Sequence, residues 1–266
     1  MSSQITIADV HHTFETDTGP LHVLNGLEVD IAPGSFTAVV GPSGCGKSTL
    51  TRLIAGLMIP DQGSVLVDGE LVRGPRANVG MAFQNPVLLE WRSILDNVLL
   101  PLEIVPNSLS QKQREERGLE LLAMVGLEGF ESKKPSELSG GMRQRASLCR
   151  ALVHRPDILI MDEPFGALDA FTREDLWQIM HELRHQEQFT CLLITHDLRE
   201  SIFLADQVVV LSGRPAKTQF VMDVPLGADR TLDDLYKGPA VDMLATLRQQ
   251  IQIAQGRDVE VHSNAS

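Results

Sequence analysis

Four segments, residues 36–40, 158–161, 192–195 and 208–211, are almost continuously apolar. A strand with one wet face alternates, so runs this unbroken must be covered on both faces, the condition of strands in a parallel sheet between layers of helices. The helices are legible as well. Leu50, Leu53, Ile54 and Leu57 recur at helical spacing after the first run, and Phe171, Leu176, Ile179, Met180 and Leu183 do so before the third. The pattern predicts a doubly wound α/β core.

Ahead of the core, Ile5, Ile7 and Val10 and then residues 23–31 read as strands of a half-buried antiparallel sheet. Residues 65–72 add a hairpin, because Asp68-Gly69 supplies the positive φ angles of a tight turn. Beyond about residue 85 the alternation lapses. A charged helix over 111–125 and another over 141–154 predict a helical subdomain inserted at about 85–155. After Pro225, Val241, Leu244, Leu247 and Ile251 recur at helical spacing before a polar end. The expected organisation is one domain over 1–225 and a C-terminal extension over 226–266.

Charge and composition exclude several classes. Lys and Arg number 23 against 35 Asp and Glu, a formal charge of −12 that repels a phosphate backbone, so no nucleic-acid partner is expected. The three cysteines form no CxxC pair, which argues against a zinc site and for a reducing compartment. No stretch approaches the roughly 18 apolar residues of a membrane span, and the first ten residues lack a signal-like core. If a membrane is involved, another chain crosses it.

The first apolar run leads into Gly41-Pro42-Ser43-Gly44-Cys45-Gly46-Lys47-Ser48, which fits G-x-x-x-x-G-K-[ST] and sits between a buried strand and an amphipathic helix, as in the core of a P-loop NTPase. Its glycines let backbone N–H groups converge on phosphate oxygens, and the helix N-terminus adds a positive dipole end. Lys47 then reaches the β- and γ-phosphates, Ser48 can ligate Mg²⁺, and Thr49 is placed to hold a further phosphate oxygen. Cys45 reads either as a thiol activated by the helix end or as a small filler residue. The run at 158–161 ends in Asp162-Glu163, at the carboxyl end of a parallel strand where such sheets bind ligands. Asp162 is expected to hold Mg²⁺, and Glu163 to accept a proton from, or orient, the water that attacks the γ-phosphate.

Upstream of that pair lies Leu138-Ser139-Gly140-Gly141-Met142-Arg143-Gln144-Arg145. Together with the phosphate loop, this stretch resembles the LSGGQ signature of the nucleotide-binding subunits of ABC transporters, with Met142 in place of Gln. Physically, Ser139 caps a helix whose free amides form a second anion site. The resemblance implies that Ser139, Gly140, Gly141 and Met142 close on ATP held by a second copy, so that two ATP molecules are sandwiched in a head-to-tail dimer. It extends over nearly the whole chain. Phe14 looks like the aromatic that stacks on adenine, Gln84 like the Q-loop glutamine that touches Mg²⁺ or water, Asp169 like the D-loop aspartate acting in trans, and His196 like the switch histidine near the γ-phosphate.

Residues 85–98, Asn-Pro-Val-Leu-Leu-Glu-Trp-Arg-Ser-Ile-Leu-Asp-Asn-Val, resemble a segment of nitrate, sulfonate and taurine importer ATPases, with Glu90 replacing a proline, and residues 211–215 do so too. This resemblance implies an ATP-hydrolysing importer subunit on the cytoplasmic face of the membrane. Its partners would be a second ATPase subunit, expected to be identical, two membrane-spanning permease subunits and, indirectly, an extracytoplasmic solute-binding protein. An exporter ATPase or a non-transport ABC ATPase is the alternative. Val87, Leu88, Leu89 and Trp91 are expected to line a groove for a short helix of the permease, unless they are core of the insertion.

Overall fold

In the computed structural model, which describes residues 2–166 and 168–256, the strands gather into two sheets. The chain begins with β1 (Ile5–Thr16), β2 (Gly19–Ile31), β3 (Phe36–Val40), α1 (Lys47–Ile54), β4 (Gln62–Val67), β5 (Glu70–Leu71) and β6 (Val79–Ala82). Helices α2 (Ile94–Ile104), α3 (Gln111–Met124) and α4 (Gly140–Leu152) follow. The core then resumes with β7 (Ile158–Asp162), α5 (Ala170–Glu187), β8 (Thr190–Ile194), α6 (Leu198–Leu204), β9 (Gln207–Leu211) and β10 (Thr218–Asp223), and α7 (Gly238–Ala254) closes the described chain.

The larger sheet has the order β10-β9-β3-β8-β7-β6, parallel throughout except that β10 runs antiparallel to β9. All four apolar runs lie in it, and their alternation shows why they are almost continuously apolar. Ile158 and Ile160 of β7 join one hydrophobic cluster, with α1 and the smaller sheet, while Leu159 and Met161 join the other, with α4, α5 and α6. The smaller sheet, β2-β1-β4-β5, is antiparallel, and Asp68 and Gly69 turn β4 into β5 at φ 52° and 77°.

Two strands and two helices go beyond the sequence reading: β6, which forms one edge of the large sheet, β10, which forms the other, α2 and the short α6. Ser93 starts α2 with a full capping box, its hydroxyl accepting from the Asp96 amide while the Asp96 carboxylate accepts from the Ser93 amide. Three side chains expected on buried helix faces point outward. Leu57 lies beyond the end of α1, Phe171 is 82 % exposed in the first turn of α5, and Val241 is exposed on α7. Leu247 of α7 is fully buried against the core, with Leu244 and Ile251 packed beside it, so the extension docks on its own chain. Its polar end, residues 257–266, lies outside the described residues.

Candidate functional site

Parallel pairing brings the carboxyl ends of β3, β6, β7 and β8 to one edge of the sheet. The loop 41–46 follows β3, Gln84 follows β6 by two residues, Asp162 ends β7 and His196 follows β8 by two. Ser43, Gly44, Gly46, Lys47, Ser48 and Thr49 share a cleft of about 630 Å³ with Phe14, Gln84, Glu163 and His196, and with Leu21, Val23 and Arg214.

Each wall has a local cause. Gly46 sits at φ 121°, and a Cβ there would come within 2.8 Å of the Val23 side chain, so only glycine lets the loop pass beneath β2. Lys47 is buried, and its ammonium donates to the carbonyls of Gly41 and Pro42 at 2.9 Å each, which holds a cation against the loop. Gly41, Pro42 and Cys45 stay behind the wall. Cys45 is packed into the hydrophobic cluster at 1 % exposure, and burial pushes its thiol up from the ordinary value against the opposing charge of Lys47. It is the filler of the two readings, and the activated-thiol reading is corrected: desolvation outweighs the helix end.

The acidic pair divides its work. Burial lifts the Asp162 carboxyl above its ordinary range, opposed by a hydrogen bond from Ser48 and reinforced by the charge of Glu163. Glu163 takes a left-handed backbone at φ 49°, a strained choice for a residue with a Cβ, and its amide donates to Ile194 of β8 at 2.9 Å. That conformation turns its carboxylate across the cleft. Oε2 accepts from Gln84 Nε2 at 3.0 Å and lies 3.4 Å from His196 Nδ1. Gln84, Glu163 and His196 therefore form one cluster, although nearly eighty residues separate Gln84 from Glu163.

Ser139, Gly140, Gly141 and Met142 stand outside this cleft. Ser139 caps α4 by accepting from the Met142 amide at 3.2 Å, Gly140 is exposed, Gly141 is half-buried, and Met142 is half-buried against the core. A Cβ on Gly141 would meet the Leu168 side chain at 2.9 Å, so that stretch packs directly on the segment before α5. Asp169 caps α5, accepting from the Thr172 amide and hydroxyl, which hold its carboxyl below the ordinary range. Its neighbour Ala167 lies outside the described residues.

Sequence reasoning missed Leu21, Val23 and Arg214 in the cleft and Arg173 beside it. Leu21 was within reach, because the β1–β2 register pairs it with Phe14. Arg173 donates to the Leu168 carbonyl and pairs with Asp197, each at 3.1 Å, tying the segment before α5 to the residue after His196. No local pattern marks Arg173, and the resemblance over residues 211–215 singles out the segment of Arg214 without placing it at the cleft.

The residues expected to line a permease groove, or else to be core of the insertion, divide between the two. Leu88 is buried, while Val87 and Trp91 stand out at 60 % and 72 % exposure. A separate apolar groove of about 470 Å³ lies nearby, between β6 and α2, lined by Met81, Phe83, Leu100, Pro101 and Ile104 among others.

The profile of the ABC transporter family matches residues 24–166. The bicarbonate transport ATP-binding protein CmpD of Synechocystis is 39 % identical over 236 residues, 88 % of this chain and 84 % of that protein. The nitrate import ATP-binding protein NrtD of Synechococcus elongatus is 39 % identical over 89 % of this chain and 87 % of its own, and the aliphatic sulfonates import ATP-binding protein SsuB of Bacillus cereus is 38 % identical over 85 % and 88 %. Among solved structures, the dimeric post-hydrolysis state of the ATP-binding cassette MJ0796 bound to ADP and phosphate superposes with a TM-score of 0.76 at 29 % identity, covering 83 % of this chain and 98 % of that one.

Proposed function

As a member of the ABC transporter family, to which the chain belongs, we propose that it is the ATP-hydrolysing subunit of an importer, closing as a dimer around two ATP molecules to drive solute uptake through separate membrane subunits. The observation that carries this reading is the cleft that unites Lys47, Ser48, Gln84, Glu163 and His196, while Ser139 to Met142 line no part of it. Each chain then holds most of a site and carries the missing wall of another. Residues 1–225 serve as the ATPase and 226–266 as its extension.

Triphosphate enters against the amides of the loop and the N-terminus of α1, where Lys47 supplies a fixed positive charge and Phe14 a ring face for the base. Glu163 is the acceptor for the proton of the attacking water, and the Gln84 amide and His196 keep its carboxylate aimed into the cleft. His196 also donates toward the γ-phosphate, where preorganised donors stabilise charge as the bond breaks. The Ser48 hydroxyl, the Asp162 carboxylate and the Gln84 amide oxygen would hold Mg²⁺. They are all oxygen donors, and among the described residues no group of three or more His, Cys, Asp or Glu gathers as a site of its own, which fits a cation that keeps waters and shares phosphate oxygens. When bound, Mg²⁺ neutralises phosphate charge. Seen from Asp162, a nearby cation also offsets the cost of carrying a buried carboxylate.

In this reading the apolar groove between β6 and α2 receives the permease at the cytoplasmic face of the membrane. Among the described residues no helix is long and apolar enough to cross it. Glu163→Gln should retain ATP binding and lose roughly 10² to 10⁴ in turnover, as removal of a positioned proton acceptor does. Near-normal turnover in a phosphate-release assay would reject the role of Glu163. Copurification from gently solubilised native membranes should recover a polytopic subunit and a solute-binding protein. Recovery of ribosomes or repair proteins instead would reject transport.

A further inference from the structure

The loop between β9 and β10 joins the nucleotide cleft to the C-terminal helix. It closes on itself, with Ser212 and Lys217 exchanging two hydrogen bonds at 3.0 Å. It is stitched to β2, where the Ala216 amide donates to the Val23 carbonyl at 2.7 Å and the Asn25 amide to the Ala216 carbonyl at 3.0 Å. Its third tie leads away from the cleft. The Gly213 amide donates to the carbonyl of Ala254, the last residue of α7, at 3.0 Å, and a Cβ on Gly213 would lie only 3.0 Å from that same oxygen.

Arg214, the next residue, lines the cleft. The stitch to Val23 ties its loop to the strand that carries Leu21 and Val23, which with Phe14 build one wall of the cleft. That wall is the aromatic and aliphatic end of the cleft, suited to a base and sugar rather than to phosphates. A guanidinium there can stack its plane on a base and donate to ribose hydroxyls, which an ammonium cannot do. We propose that Arg214 contacts the base-and-ribose half of the bound nucleotide, and that the last turn of α7 sets its position through Gly213, so that the C-terminal extension tunes nucleotide affinity.

The proposal rests on nucleotide occupying the cleft, and its test separates the two. Binding of ATP and of inorganic tripolyphosphate, which lacks base and ribose, is measured by calorimetry on the full-length chain. Lys47→Ala should weaken both probes, and failure to do so would overturn the placement of nucleotide itself. Arg214→Ala should weaken ATP by about tenfold, the effect of losing a charge-assisted contact, and leave tripolyphosphate unchanged. Equal loss for both probes, or loss for neither, would overturn the assignment. Gly213→Val, which pushes the loop off the Ala254 carbonyl, should weaken ATP several-fold in the parent and add nothing in the Arg214→Ala background. Additive losses would overturn the positioning role of α7. Thermal unfolding checks that each variant folds. If the valine variant does not, Gly213→Ala makes the same comparison with a smaller displacement.

Discussion

Glu200 illustrates what a single buried group does to the whole chain. It lies on α6 at 3 % exposure, and burial, reinforced by the charges of Asp197 and Glu163 and opposed by the Thr195 hydroxyl and Arg173, pushes its carboxyl up to about 8 from an ordinary 4.5. Folded chains therefore keep a proton that unfolded chains release, and the sign of the linkage follows. The stability Glu200 contributes is fully present below pH 4.5 and is lost as pH rises through about 8. Thermal unfolding from pH 5 to pH 9 should show the parent losing ground to Glu200→Gln as pH rises. Parallel curves would reject the buried proton. In the sequence, Glu200 is one more carboxylate in the first turn of a short helix, and nothing local announces that Thr195 and Asp197 will enclose it. Glu163 was legible for the opposite reason: the apolar strand before it fixes where its backbone emerges. Cys45 was half legible, since its place in the loop was plain and its inward rotation was not.

At the scale of elements, legibility followed burial on two sides. Strands β3, β7, β8 and β9 announced themselves because both faces exclude water. The edge strands did not. β6 is only Val-Gly-Met-Ala, and β10 alternates partly buried with exposed residues. Helix α2 was hidden by Pro101 and by apolar residues around most of its circumference, which leave little amphipathic stripe to find. The glycine of β6 has a reason that only packing reveals: a Cβ on Gly80 would lie 2.2 Å from the carbonyl oxygen of Ala151 in α4. That contact sets how closely the helical insertion approaches the sheet. Because the neighbour is backbone, Gly80→Ala should cost about 1–3 kcal/mol or more, as overpacking does, and lower the urea midpoint. An unchanged midpoint would mean that β6 and α4 slide apart freely.

For the whole molecule, the absence of Ser139 to Met142 from the lining of the cleft that holds the phosphate loop predicts that one chain cannot complete its own site. Glu163→Gln held with MgATP should sediment as a dimer and return to monomer when nucleotide is removed. A species that stays monomeric at every ATP concentration would reject the sandwich. The sheet order also sets a schedule for making the protein. Strand β3, which carries the loop, pairs on one side with β8, where Phe36 meets Cys191, and on the other with β9, where Thr37 meets Gln207. Both neighbours leave the ribosome long after β3, whereas β1, β2 and β4 can pair at once, and closing contacts so distant in the chain is the slow part of folding. The loop therefore waits on an unflanked strand through most of translation. A nascent chain halted before residue 207 should not retain ATP, so the first captured nucleotide marks, in time, the moment at which the centre of the molecule closes.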